Sequence, residues 1–381
     1  MKPIKGIVTD VEPFEQPDGS YRYAKNVLIN HKLGSITNEK GTSVIQNSFG
    51  TGTIIIGQLH YNQHIIYLFV KDDTTSKIIK FDSSINSFTT VINSSLLAFN
   101  PDYPIIAQFT INPLGETIIY WTDGLNPPRF LNLSSIPVLT SDNISGINLF
   151  PSYDLFPLFT LNSVNNSGGV LNTGVYYVGF SYESEDGIES SIHLLSNKIT
   201  IYSATTTVSS KIVGDPSGTI TKKSFDCTFS NLDTDYKYLR IYTLRRENGQ
   251  YIDIRKLKRK VISSTGSLNI TITGTESYDE FTIDDLLINK ASYTTAKAMT
   301  KVEDSLYLGN LKQNQYPDLQ QYVNNIKVEG ATKTYAVGTL TNSFKDPLIV
   351  HNEQGFKPGE VYALYISALY KDGTESKAYH I

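Results

Sequence analysis

Residues 118–130 read IIYWTDGLNPPRF, and whether this stretch repeats decides the fold. The tetrapeptide Tyr120-Trp121-Thr122-Asp123 is the signature strand of one class of receptor β-propeller, but it occurs here once. The strand around it does recur. IIGQLH (55–60) matches IIAQFT (105–110), HIIYLFV (64–70) matches TIIYWTD (117–123), and IIKFDSS (78–84) matches RFLNLSS (129–135). Three strand-like runs return in the same order at nearly the same offset, and SFTTVI (87–92) adds a fourth to the first copy. A four-stranded meander repeating at this period is how a propeller blade is written. Two blades cannot close a propeller, because each blade packs its face on a neighbour. DSLYLGNL (304–311) reads as a return strand to the propeller after an insertion.

The insertion has its own pattern. GVYYVGFSYESEDGIESS (174–191) alternates aromatic and small residues and turns at Asp186-Gly187. YKYLRIYTLRRENGQYIDIRKL (236–257) is a hairpin about Asn248-Gly249, the strongest short hairpin signal. With SLNITITG (267–274) these strands suggest a sandwich of the fibronectin type III or immunoglobulin kind. TIDDLLINK (282–290) reads as a short helix capped by Thr282 or Asp284. Val175-Tyr176 and Asp186-Gly187-Ile188-Glu189-Ser190 return, 186 residues on and without a gap, as Val361-Tyr362 and Asp372-Gly373-Thr374-Glu375-Ser376. The second copy stops inside a strand, so its later strands are expected from further along a longer polypeptide or from another chain.

The expected class is all-β, with partial propeller blades and inserted and appended sandwiches. An extended N-terminal arm and hairpin fill 1–50, and two blade-like units fill 51–150. A sandwich covers 151–290, the return strand 291–312, and an incomplete second sandwich 313–381. Composition agrees: Tyr (25) and Phe (17) far outnumber Met (2) and Trp (1), a mixture that favours pleated strands. The net charge of −4 exerts no global pull toward nucleic acid or acidic membranes. The single cysteine, Cys227, forms no intrachain disulfide, and no apolar run is long enough to span a bilayer. MKPIKGIVTDVEPF carries no leader-like apolar region, which points to assembly in a reducing cytoplasm.

His60 and His64 have the spacing of a helical zinc pair but flank a hairpin turn. His31, His193, His351 and His380 are scattered with no nucleophile elbow to serve. Asp10, Glu12, Glu15 and Asp18 are interrupted by Pro13 and Pro17, which favours a solvated arm over a calcium loop. Asp284-Asp285 suits a helix N-terminus. No cofactor is expected. Pro127 and Pro128 forbid helix and most ladder bonding, so Asn126-Pro127-Pro128-Arg129 must be a rigid turn. Trp121 is expected to pack between blades and Arg129 to pair locally, with Asp123 the candidate. The charge cluster Arg255, Lys256, Lys258, Arg259 and Lys260 allows two readings: a DNA-facing surface working through phosphate contacts, or an exposed strand pair whose charges discourage aggregation.

The chain resembles the muzzle, or stabilisation, proteins of crAss-like phages, within the nozzle-type tail proteins of short-tailed bacteriophages. The resemblance rests on QPDGSYRYAKN (16–26), GSITNEKGT (34–42), IIYWTDGLNPPRF, DYKYLRIYTLRR (235–246), IDDLL (283–287) and AMTKVEDSLYLGNL (298–311). It implies a virion structural protein, a homo-oligomeric ring (a hexamer) at the distal end of a short tail. It further implies contacts with other tail proteins and transient passage of DNA. Two other readings compete: a carbohydrate- or receptor-binding surface module, and a phage-borne glycosidase or cell-wall hydrolase.

Overall fold

A computed structural model describes residues 6–22, 27–30, 35–38, 49, 52–141, 144–204, 215–287, 292–335, 340–353, 355–356 and 359–381. The chain divides into two compact units, Met1–Thr53 and Ile54–Ile381. In the first, β1 (Gly6–Ile7) runs parallel to β2 (Ser20–Tyr21), and β3 (Val27–Asn30) pairs antiparallel with β4 (Ser35–Asn38). The stretch expected to be an extended arm therefore loops back on itself. Gly19 takes a positive φ of 88°, and the Ser20 amide donates to the Pro17 carbonyl at 3.0 Å.

The second unit opens with β5 (Ile54–His60), β6 (Ile65–Lys71), β7 (Ser76–Asp82) and β8 (Ser87–Ser94), an antiparallel meander in that order. A three-stranded meander follows: β9 (Ile106–Ile111), β10 (Thr117–Thr122) and β11 (Arg129–Asn132). Short polar side chains build the corners by accepting amide protons two or three residues ahead. Asn62 serves the β5–β6 corner, Asp72 the β6–β7 corner, Asn112 the β9–β10 corner and Asp123 the β10–β11 corner. One apolar cluster is shared by both sheets, with Phe69, Ile78 and Ile92 from the first and Ile119, Trp121 and Leu131 from the second. The Ile105 amide donates to the Ile56 carbonyl at 2.8 Å, so the chain enters the second sheet hard against the first. A Cβ on Gly57 would stand 2.8 Å from Ile105, which makes glycine necessary at the bulge of β5.

The next strands are β12 (Leu158–Asn165), β13 (Gly174–Glu183), β14 (His193–Leu194), β15 (Ile199–Ile201) and β16 (Ser224–Ser230). They are followed by β17 (Tyr238–Glu247), β18 (Gln250–Leu257), β19 (Lys260–Val261), β20 (Leu268–Ile272) and β21 (Tyr278–Glu280). β12, β16 and β20 make one antiparallel sheet; β14, β13, β17, β18 and β21 make another, with β15 on β13 and β19 on β17. Period-two patterning sends Tyr176, Val178, Phe180 and Tyr182 of β13 inward to meet Phe225, Cys227 and Phe229 of β16. The β17–β18 corner is Asn248 (φ 49°) and Gly249 (φ 83°), the two left-handed residues that a two-residue type I′ hairpin requires. Helix α1 (Ile283–Leu287) is capped by Thr282, whose hydroxyl accepts from the Asp285 amide at 3.2 Å while Asp285 reaches back to the Thr282 amide.

β22 (Thr295–Val302) and β23 (Ser305–Lys312) form a hairpin. The single return strand expected at 304–311 is thus the second strand of a pair, and β22 is the one lying on β9 and β10. Thr122 donates to the Ala296 carbonyl, and Lys301 to the Thr110 hydroxyl at 3.2 Å. Two short helices follow, α2 (Gln320–Val323) and α3 (Pro347–Asn352), where strands of a second sandwich were expected. Asp346 caps α3 by accepting from the Leu348 amide, Pro347 fills its first turn, and the helix rests on β12 and β15. β24 (Tyr365–Ile366) and β25 (Tyr379–His380) pair near the end. The described structure is therefore all-β in character, with mostly antiparallel sheets and few, short helices.

Trp121 is the chain's single tryptophan, 2% exposed and 5.9 Å from the Phe69 ring. Its fluorescence should be blue-shifted in the native protein and move red in one step on unfolding. Trp121→Ala should lower the unfolding free energy by about 3–5 kcal/mol, followed by circular dichroism in urea. A variant within about 1 kcal/mol of the parent would contradict this packing.

Candidate functional site

Two clusters concentrate the polar chemistry of the second unit. The first is the turn from β10 to β11. Asp123 accepts from the amides of Leu125 (2.9 Å) and Asn126 (2.7 Å) and from the Asn126 side chain (2.6 Å), which fixes the path into Pro127-Pro128. Arg129 is buried and donates to the Leu97 carbonyl at 2.6 Å, tying the second sheet to the end of the first. Burial draws its guanidinium below the ordinary arginine value, and the nearby Asp123 charge opposes that pull. The Asp123 carboxylate is thus engaged with its own turn and reaches Arg129 only as a neighbouring charge. At the far end of β11, Asn132 donates to Glu116 (3.1 Å) and to Asp186 (2.9 Å), joining the second sheet to the corner after β13.

The second cluster lies on the face of β13, β17 and β18 turned away from the apolar core. Glu189 is its centre: one carboxylate oxygen accepts from Ser181 (2.5 Å) and from the Tyr242 hydroxyl, the other from Lys256 (2.7 Å). Burial pushes the Glu189 carboxyl up, but the bonds from Lys256, Ser181 and Tyr242 outweigh it and hold the group below its ordinary value. Burial and the same carboxylate drive the Tyr242 phenol well above its usual range. Beside it, buried Glu183 takes both Arg240 and Arg259, the latter at 2.9 Å and stacked over Tyr238 at 4.1 Å.

The basic run is drawn into this ladder. Arg255 pairs with Asp253 (2.8 Å) and lies over Tyr278, Lys256 pairs with Glu189, Lys258 with Asp279 (2.6 Å) and Arg259 with Glu183. Lys260 is exposed on β19. Four of the five cations therefore have carboxylate partners: Arg255 on its own strand, and Lys256, Lys258 and Arg259 on Glu189, Asp279 and Glu183 from other parts of the sheet. Reading the run by itself missed this, because Glu183 and Glu189 are remote in sequence. The signal available for Glu189 was its place in the 186-residue repeat.

Elsewhere, a cavity of about 220 Å³ opens where β11 meets the 184–188 corner, lined among others by Phe130, Asn132, Asp186, Asp235 and Tyr236. Among the described residues no group of three or more His, Cys, Asp or Glu is placed to hold a metal. His60 and His64 are exposed beside the β5–β6 corner, whereas His193 is packed among Tyr153, Phe156 and Phe180. His351 is buried at the end of α3, with Nδ1 3.3 Å from the Lys198 carbonyl. Burial lowers both of these imidazoles, as expected of neutral rings in a core. Cys227 is enclosed between the sheets, its thiol pushed up to about 12 by burial with a smaller contribution from Asp226, so it is inert as a nucleophile. Asp10, Glu12, Glu15 and Asp18 are exposed.

Because Glu189 titrates below its unfolded value, its stabilisation is present above that value and is lost as pH falls through the folded one. Glu189→Gln should therefore reduce stability at neutral pH by about 1–3 kcal/mol and flatten the acid side of the stability–pH profile. Urea titrations across pH 3–7 test this, on the order of half-unit steps being sufficient. An unchanged acid slope would contradict it.

The model of the crassvirus muzzle protein family matches residues 2–336, a span that runs through both apolar clusters and the β22–β23 hairpin. The muzzle protein of Bacteroides phage crAss001 is 26% identical over 370 residues, covering 90% of this chain and 26% of the relative. The chain thus spans about a quarter of that relative's length. On the extent of the family match, this chain belongs to the crassvirus muzzle protein family.

Proposed function

We propose that the chain is part of a structural virion protein, a subunit of a closed ring at the distal end of a short phage tail through which the genome leaves. The observation that carries this reading is the family match over residues 2–336. In this reading the two meanders of 54–132 are neighbouring propeller-like blades, with the β22–β23 hairpin returning to them. The sheets of 158–280 are a fibronectin-like sandwich. The ring is homo-oligomeric, with the six-fold order implied by the resemblance, and its contacts cover strand edges that a lone subunit would expose. Other tail proteins flank it, and assembly takes place in the host cytoplasm. DNA passes without being gripped, since the cations of 255–259 are already compensated by carboxylates and offer few phosphates a counter-charge.

A second reading is favoured by the cavity at Phe130, Asn132, Asp186 and Tyr236, whose mixture of aromatic rings, amide and carboxylate suits a neutral sugar of a surface glycan. Immunogold labelling of virions with antibody raised against this chain separates the two. The ring reading expects gold at the distal tail tip, and DNA ejection from intact virions unaffected by free oligosaccharide. Label on the capsid, or none on intact virions, would contradict it. Saturable binding of a glycan, abolished by Asp186→Ala, would favour the second reading.

A further inference from the structure

The sequence repeat at a spacing of 186 residues is also a repeat of hydrogen bonds. In the first copy the Ser184 amide donates to the Ile188 carbonyl and the Gly187 amide to the Ser184 carbonyl; in the second, Tyr370 donates to Thr374 and Gly373 to Tyr370. Ser190 donates to the Tyr182 carbonyl and takes the Tyr182 amide on its hydroxyl at 2.8 Å; Ser376 does the same with Ala368, also at 2.8 Å. Ser181 donates to Glu189 and Ser367 to Glu375. The outer strand also keeps its register. Gly179 and Phe180 face Leu194 and His193, while Tyr365 and Ile366 face His380 and Tyr379, and the Leu195-to-Val178 bond returns as Ile381 to Leu364.

The two copies differ on the opposite edge. There β13 pairs with β17 at every position from Val175 to Glu183. Among the described residues no strand pairs with that edge of the second copy, where β24 has β25 alone. The apolar positions follow suit. Phe180 is 0% exposed and its counterpart Ile366 40%; Tyr176 is 6% exposed and Tyr362 42%. Val361 is 99% exposed. Glu375 holds its serine as Glu189 does, but the donors that complete Glu189, Tyr242 and Lys256, come from the very strands the second copy lacks.

We propose that residues 361–369 are a strand-acceptor edge, filled by a segment of the same muzzle polypeptide that pairs antiparallel and brings a tyrosine hydroxyl or lysine ammonium to Glu375. The first copy is the template for the occupant. It is a strand patterned like β17, apolar on the face meeting Leu364 and Ile366 and carrying a donor on the other, followed by a second strand like β18. Backbone ladder bonds supply the affinity, and the Glu375 contact sets the register. The muzzle relative, of which this chain matches 26%, has ample sequence for such a segment. Leu369 stands where Glu183 does, so the arginine pair of the first copy is not repeated. Tyr365 in place of Gly179 adds a ring on the donor face.

Hydrogen–deuterium exchange on the 381-residue chain, and on full-length muzzle polypeptide from infected cells, tests the proposal. In the short chain, amides of 175–183 should be protected while those of 361–369 facing away from β25 exchange freely. In the full-length polypeptide the latter should slow by on the order of a hundredfold or more. Cross-links from Lys371 and Lys377 should then reach another segment of the same copy, read from mixed-isotope preparations, and Glu375→Ala should weaken the protection of 361–369 while leaving 175–183 unchanged. Free exchange in both samples, or protection already complete in the short chain, would overturn the proposal. So would cross-links that lead to a second copy or to a different tail protein. None of these outcomes depends on whether the ring reading is right.

Discussion

The pairing of β13 with β17, unbroken from Val175 to Glu183, is the constraint on which the rest of the second unit turns. It commits Tyr176, Val178, Phe180 and Tyr182 to the inner face, and therefore Ser181 and Glu183 to the outer one. A slip of one residue would turn Glu183 of β13 or Arg240 of β17 toward the apolar core, at the cost of burying unpaired charge. The outer face makes the same choice of register in polar terms. Glu189 finds Tyr242 and Lys256, and Glu183 finds Arg240 and Arg259, only when β17 lies where it does. Apolar and charged layers specify one alignment together, which suits a protein whose outer strands are rich in both.

The same sheet anchors its neighbours. Through Asp186 the corner after β13 holds Asn132, and through Asn132 it holds the second meander, whose Trp121 and Arg129 lock onto Phe69 and the Leu97 carbonyl of the first. Tyr153 carries the connection onward. Its amide donates to the Lys371 carbonyl at 2.5 Å and its ring lies against Gly373, where a Cβ would meet the ring at 2.8 Å. The two apolar clusters, each shared by a pair of sheets, are thus linked by directed polar contacts such as Asn132 to Asp186.

Where local chemistry decided the structure, the sequence announced it. Asn248-Gly249 can only be a tight hairpin, Pro127-Pro128 only a rigid turn, and the matched runs at 55–84 and 105–135 form two like meanders. Thr282 caps α1 because a hydroxyl before Ile-Asp-Asp has few other uses. Long-range polarity was not legible. Arg259 reads as part of a basic run until Glu183, 76 residues away in sequence, is seen beside it. The parallel pairing of β1 with β2 rests on two-residue strands with no periodicity to detect, and α3 is a six-residue helix fixed by Asp346, Pro347 and its seat on β12 and β15. The hairpin at 186–190 was legible as a repeat. That its repeat extends to individual hydrogen bonds, and stops at the edge β17 would occupy, required coordinates.

The central claim is that one hairpin design, closed over a glutamate, is used twice, and that its second use is completed by another part of the muzzle polypeptide. A density map of the intact muzzle by electron cryomicroscopy tests it most directly. The account predicts a strand about 4.8 Å from residues 361–369, antiparallel to them, with a donor side chain at Glu375. Solvent along that edge, or a helix packed across it, would contradict the account.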